Sequence, residues 1–147
     1  KYKAASSYAR ERGKLLLVAG GPWGCKRARR LLKMPAHGSG DICLDIDRRA
    51  VDGCPNGLVA DVTHLPFPDK SFGAAFASHL LEHLASTEDG NQALAELNRV
   101  AEAVFIVSPS RQSIPGWVIP DHHLLVWQKG NATCIKQKGK LRGRQLA

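Results

Sequence analysis

Two aspartates, Asp45 and Asp61, stand at or next to the ends of short apolar runs, and Gly20, Gly21 and Gly24 follow a third run. An acid some twenty residues beyond a glycine-rich turn, at the end of the next strand, stands where a carboxylate accepts hydrogen bonds from the ribose hydroxyls of a nucleotide cofactor. Asp45 lies 21 residues after Gly24. The glycines let a ligand approach the backbone closely and offer amide donors beside a helix N-terminus. Read without a ligand, the same residues are a plain turn and a solvated strand end. A nicotinamide cofactor and an S-adenosyl one both fit this pair of signals. A second constellation is His79-x-x-Glu82-His83, which matches the HxxEH zinc pattern when carried on a helix, since that spacing puts both histidines on one face. His122 and His123 are the histidines that could join it.

These residues must be positioned by secondary structure. Leu15–Ala19 reads as a strand, the glycine turn follows, and a basic amphipathic helix runs from Cys25 until Pro35 closes it. Ile42–Ile46 and Leu58–Val62 read as the second and third strands, with room between them for a turn or two of helix. Ala74–Ser78 is a fourth strand of small residues, and His79–Ala85 looks helical. Ser86-Thr87-Glu88-Asp89 caps a further amphipathic helix whose apolar positions run from Ala93 to Val104, and Val104–Val107 is the fifth strand. Ser108–Asp121, with three prolines and Trp117, is a long loop of the kind that carries function. His123–Gln128 and Thr133–Gln137 form a closing antiparallel hairpin. Strands alternating with helices predict an α/β fold: a mostly parallel sheet with helices on both faces and a ligand crevice at the carboxyl ends of the strands.

The block Ala60-Asp61-Val62-Thr63-His64-Leu65-Pro66-Phe67-Pro68-Asp69-Lys70-Ser71-Phe72, followed by a small-residue strand and Ser78-His79-Leu80-Leu81-Glu82-His83-Leu84, closely resembles the central block of the class I S-adenosylmethionine-dependent methyltransferases, type 11 subgroup. The resemblance runs from Leu15 to about Ser108. It implies a Rossmann-like methyltransferase fold, a seven-stranded sheet whose last strand is antiparallel, as a single domain over residues 1–147. It implies S-adenosyl-L-methionine as cofactor, with Asp45 and the following Ile46 on the ribose side. Asp61 takes the adenine amino group, and the Val62 backbone meets the ring. Gly20, Gly21 and Gly24 match the methionine-side turn, and Ser78 and His79 the strand end that borders the sulfonium. If the acceptor is a hydroxyl or a protonated amine a base is needed, and His79 or His122 is the candidate. The HxxEH letters are common in this methyltransferase block, so no metal is assigned.

Two positions depart from the family pattern. Val18 stands where an acid is usual and Pro22 where a glycine is usual, which removes polar help from the methionine end of the pocket. The alternative function is therefore a non-catalytic nucleotide-fold module that binds partners or nucleic acid through basic surfaces. Lys and Arg dominate residues 1–50 and 111–147, Asp and Glu the middle, and the net charge is +8. Most of that charge reads as solvated helix face and loose terminus, so a small-molecule acceptor is favoured over nucleic acid. The 147 residues, 44% hydrophobic and 23% charged, suffice for one core and exclude wholesale disorder and coiled coil. Four scattered cysteines without a CxxC pair indicate reduced thiols and a cytoplasmic setting. No apolar run reaches membrane-span length, and a leader or anchor ahead of Lys1 is compatible with the sequence.

Overall fold

The computed structural model describes residues 1–21, 40–52, 54–109, 120–130 and 132–139. Gly24, Pro22, the basic helix expected from Cys25, residues 110–119 of the proline-rich loop and the basic stretch 140–147 lie outside them. Helix α1 (Tyr2–Glu11) leads into β1 (Leu15–Ala19), and β2 (Ile42–Asp45), the short α2 (Arg48–Val51) and β3 (Gly57–Val59) come next. After β4 (Phe72–Ser78) the chain passes through a 3-10 turn at Leu81–His83 into α3 (Thr87–Val100) and β5 (Ala101–Val107). Strands β6 (Leu124–Lys129) and β7 (Ala132–Gln137) close the described chain.

Strands β1 to β5 pair in the order β3-β2-β1-β4-β5, all parallel. Strand order reverses between β1 and β4, which makes the carboxyl ends of these two strands the place where a crevice opens. Side chains alternate between two apolar layers. Leu16, Val18, Cys43, Ala74 and Phe76 face α1, packing on Ala5 and Ala9, while Leu17, Ala19, Leu44, Ala75 and Ala77 face α3 and its Ala93, Leu97 and Val100. A register shift between Leu15 and Leu16, opposite Phe72 and Ala74, leaves Gly73 as an extra residue in β4. That bulge turns Phe72 onto the α3 side, where it meets Phe67 edge to face at 4.9 Å. Gly73 is required there because a Cβ would come within 2.9 Å of the Ala9 Cα of α1.

The α/β class and the parallel sheet are as the sequence predicts, but β3 ends at Val59, so Asp61 lies beyond it and not inside a strand running to Val62, β4 starts at Phe72, and further details differ. Helix α1 has no counterpart in the sequence reading. Within residues 79–85 the structure has a 3-10 turn at Leu81–His83 and no α-helix. β5 begins at Ala101, since the Val100 that closes α3 is followed directly by extended backbone at Ala101 (φ −119°, ψ 151°). Lastly, the implied seven-stranded sheet is five strands plus a separate two-stranded antiparallel hairpin among the described residues. The hairpin buries its apolar face on the helical layer instead of extending the ladder at β5. Leu124 and Val126 join the α3-side core, and Leu124 and Ile135 close over Gly90 of α3, where a Cβ would lie 2.9 Å from Leu124 Cδ1.

Candidate functional site

At the carboxyl ends of the parallel strands lies a cleft of about 520 Å³, within the range of small-molecule sites. Gly20 after β1, Asp45 and Ile46 at the end of β2, and Asp61 and Thr63 after β3 form one side. His79, Leu80, His83, Leu84, Ala85 and the α3 residue Asp89 form the other. The lining is mainly apolar with three carboxylates. Of the residues expected at a cofactor site, Gly20, Asp45, Ile46, Asp61 and His79 meet in this cleft. Ser78 and Val62, expected there too, are not among its lining residues and lie in the core at 5% and 4% exposure.

The two aspartates differ in electrostatic setting. Half-buried Asp45 receives the Asp47 amide on Oδ1 at 2.8 Å, yet burial outweighs that bond and its pKa is raised. Asp61 is exposed, and both the backbone amide and the hydroxyl of Thr63 donate to its Oδ1, at 2.8 and 2.7 Å, which lowers its pKa. Between them Ile46 is 73% exposed, an apolar platform at the mouth of a polar site.

The glycine turn serves the fold more than a ligand's polar groups. The amides of Gly20 and Gly21, expected as donors to a bound molecule, both donate to the Leu44 carbonyl, at 3.1 and 3.2 Å. Their backbone is left-handed (φ 99° and 58°), and a Cβ on Gly20 would sit 2.7 Å from the Ser78 carbonyl oxygen. A Cβ on Gly21 would sit 2.9 Å from Asp45 Oδ2. Close approach of β1 to β2 and β4 thus explains both glycines. Val18 is 1% exposed and packs on the α1 side, so the position where an acid is usual is a core position here.

His79 also adopts left-handed backbone (φ 51°), which reverses the chain at the end of β4 while its amide donates to the Val107 carbonyl at 2.8 Å. Its ring lines the cleft, and Nδ1 donates to Glu82 Oε1 at 3.1 Å. The two histidines of HxxEH are therefore not presented on one helical face, and the helix-borne metal pair that the letters suggest does not form. His122 is not in the cleft. It is 5% exposed, stacks edge to face on His83 with ring centres 4.8 Å apart, and lines a separate small cavity with Glu82. Burial lowers its pKa, as burial raises that of Glu82.

Sequence reasoning missed the device that holds the Asp61 loop. Arg99 of α3 grips Glu96 through Nε (2.7 Å) and Nη2 (2.8 Å), and donates to the carbonyls of Leu65 and Phe67 and to Asp69. Glu96 in turn receives the Leu65 amide at 2.8 Å. These bonds pull the pKa of Glu96 down to about 2. Both residues lie on the polar face of α3, where the sequence shows only a helical i,i+3 pair and gives no sign that carbonyls some thirty residues upstream lie within reach.

A parallel sheet with this strand order and a carboxylate-lined cleft at its switch point defines a nucleotide-fold protein of the Rossmann-like class. The chain belongs to the methyltransferase domain family, whose profile matches residues 23–103, more than half of its length. Among solved structures it is similar to the PH0226 protein from Pyrococcus horikoshii OT3, with 15% identity over 89% of this chain and 71% of that one and a TM-score of 0.50. It is also similar to the [4+2]-cyclase SpnF, with 18% identity, a TM-score of 0.46, 68% of this chain covered and 40% of the cyclase's length. No curated protein matches the chain at a significant level. Among the described residues no helix is long and apolar enough to cross a membrane.

Proposed function

We propose that the chain binds S-adenosyl-L-methionine in the 520 Å³ cleft and transfers its methyl group to a small-molecule acceptor by in-line displacement. One observation carries this reading: Asp45 and Asp61 leave successive parallel strands into the same cleft, with the exposed apolar Ile46 between them. The residues fit the cofactor. Half-buried Asp45 has acceptor capacity that ribose hydroxyls would satisfy, Ile46 offers an adenine its apolar face, and Asp61 has its Oδ1 fixed by Thr63 so that the carboxylate is held for an amino group. When bound, the cofactor supplies an electrophilic methyl on a sulfonium, which calls for carboxylates and an apolar slot and for no phosphate cradle.

The chain's own residues then align and exclude. Leu80, Leu84 and Ala85 provide the apolar wall that keeps water from the reacting end. His79, oriented by Glu82, is the cleft imidazole placed to accept a proton from an acceptor hydroxyl or ammonium, a role that the position of His122 outside the cleft does not support. The reading is tested by calorimetric titration with S-adenosylmethionine, S-adenosylhomocysteine and NAD. Binding of the first two and not the third is expected, and Asp45→Ala or Asp61→Ala should each weaken it by about 1–3 kcal/mol through donors left unpaired. Unchanged affinity in both variants, or binding of NAD alone, would remove the assignment.

A further inference from the structure

Next to the cleft, but outside the cofactor contacts proposed above, two buried polar atoms lack a hydrogen-bond partner among the described residues: Glu82 Oε2 and His122 Nδ1. Glu82 is 2% exposed and His122 5%. An orphaned polar atom at such depth is costly, and two within one cluster point to a common partner. His83 completes the group. Ligand atoms of Glu82, His83 and His122 all lie within 4.8 Å of one another.

We propose that Glu82, His83 and His122 bind one divalent transition metal ion, zinc by the chemistry of the donors. Two imidazoles and one carboxylate suit zinc, and this set leaves a fourth tetrahedral position for water. Donors about 2.0–2.1 Å from zinc stand roughly 3.4 Å apart, so the group closes with side-chain movements of about an ångström. Outer contacts that orient ligands are already built. His83 Nδ1 donates to the Asp121 carbonyl at 3.0 Å, which leaves Nε2 for the metal. His79 Nδ1 holds Glu82 Oε1 at 3.1 Å, which leaves Oε2. Beside Glu82 and His122 a cavity of about 10 Å³, walled by Ser108, Leu124 and Val126, has room for one water. The site joins the 3-10 turn at the cleft wall to the segment entering β6, a junction the backbone already marks with the His123 amide donating to the Glu82 carbonyl at 2.7 Å. This ligand set differs from the HxxEH helix pair: His79 moves to the outer contacts and His122, 39 residues beyond His83, takes its place.

The test needs no cofactor. The untagged full chain is stripped with a chelator and titrated with zinc chloride alone, then loaded with cobalt(II). One equivalent of zinc, a raised melting temperature, and the visible bands of four-coordinate cobalt without a thiolate charge-transfer band are expected. E82Q and H122Q should bind zinc at least 100-fold more weakly, His79→Ala about 10- to 100-fold, and the neighbouring control His123→Ala should bind as the parent does. Absence of stoichiometric zinc in the parent chain overturns the proposal, as does six-coordinate or thiolate-type cobalt absorption. Both of those measurements are made on the parent chain, so they decide the matter even where a variant fails to fold.

Discussion

Asp45 and Asp61 sit in one cleft with pKa values displaced in opposite directions, and that contrast separates stability from binding. For Asp45, whose folded pKa is raised by burial, the folded state favours the neutral acid. Its contribution to stability is present below the ordinary value near 3.8 and is lost as pH rises through the folded value. Asp45→Asn should therefore make the ligand-free protein more stable at pH 7 and not at pH 3, while weakening S-adenosylmethionine binding by about 1–3 kcal/mol, a trade visible by denaturant melts and calorimetry on the same samples. Asp61 runs the other way. Its stabilisation by Thr63 is present above pH 3.8 and lost as pH falls through the lowered folded value, so Thr63→Val, which keeps the amide and removes the hydroxyl, should cost more stability at neutral pH than in acid strong enough to protonate Asp61. The types and order of these two acids were legible in the sequence. Their environments were not, because burial of Asp45 depends on how closely Gly21 lets β1 approach, and Thr63 gives no sign in one dimension that its hydroxyl turns back.

At the scale of elements, α3 does two tasks. Its apolar face fills the core, and its polar face carries the Arg99–Glu96 grip on residues 65–69, the segment linking Asp61 to β4. Glu96 ionises at about 2, so the stability it adds is present above its ordinary value of 4.5 and disappears as pH falls towards 2. Glu96→Ala should cost about 2 kcal/mol at pH 7, with amide exchange quickening at Leu65 while β4 keeps its protection; equal exchange in both proteins would show that the loop holds itself. The turn after β1 is the second constrained element. Gly20→Ala should destabilise by at least 1–3 kcal/mol, as it combines left-handed backbone with a contact of 2.7 Å to the Ser78 carbonyl. Element boundaries were readable where a local signal exists: Ser86 accepts the Asp89 amide at 3.1 Å and starts α3 where its cap predicts. They were unreadable where tertiary contacts decide. α1 carries a stripe of Tyr2, Ala5, Tyr8 and Ala9 at helical spacing that the sequence reading passed over, because only two of the four are aliphatic and both are small; Tyr2 on Phe76, Tyr8 on Phe105 and Lys1 on the Ile106 carbonyl hold it to the sheet. Residues 79–85 have helical letters, yet the left-handed backbone at His79 and its bond to Val107 turn the chain there, and only Leu81–His83 winds, as a 3-10 turn.

For the whole molecule, the alternation of strands and helices was enough to place the cleft, because a parallel sheet of this order has its strand-order reversal between β1 and β4 whatever the details of its loops. Attachment of the hairpin was beyond sequence reasoning, since β6 and β7 satisfy each other locally and the choice of what they pack against belongs to Leu124, Ile135 and the space at Gly90. The cleft draws its walls from the ends of β1 to β4, from the 3-10 turn and from α3, so a ligand seated there touches most of the fold at once. Such a ligand must stabilise the folded chain by mass action. At 100 times its dissociation constant the gain is about 2.7 kcal/mol, which for a chain of this size raises the melting temperature by about 5–10 °C. S-adenosylhomocysteine should produce that rise, and Asp61→Ala should need about 5- to 150-fold more ligand for the same rise, because the variant changes affinity and leaves the fold in place. A melting temperature that stays flat with S-adenosylhomocysteine up to millimolar concentration would mean that the carboxylates guard a cleft with no nucleoside in it.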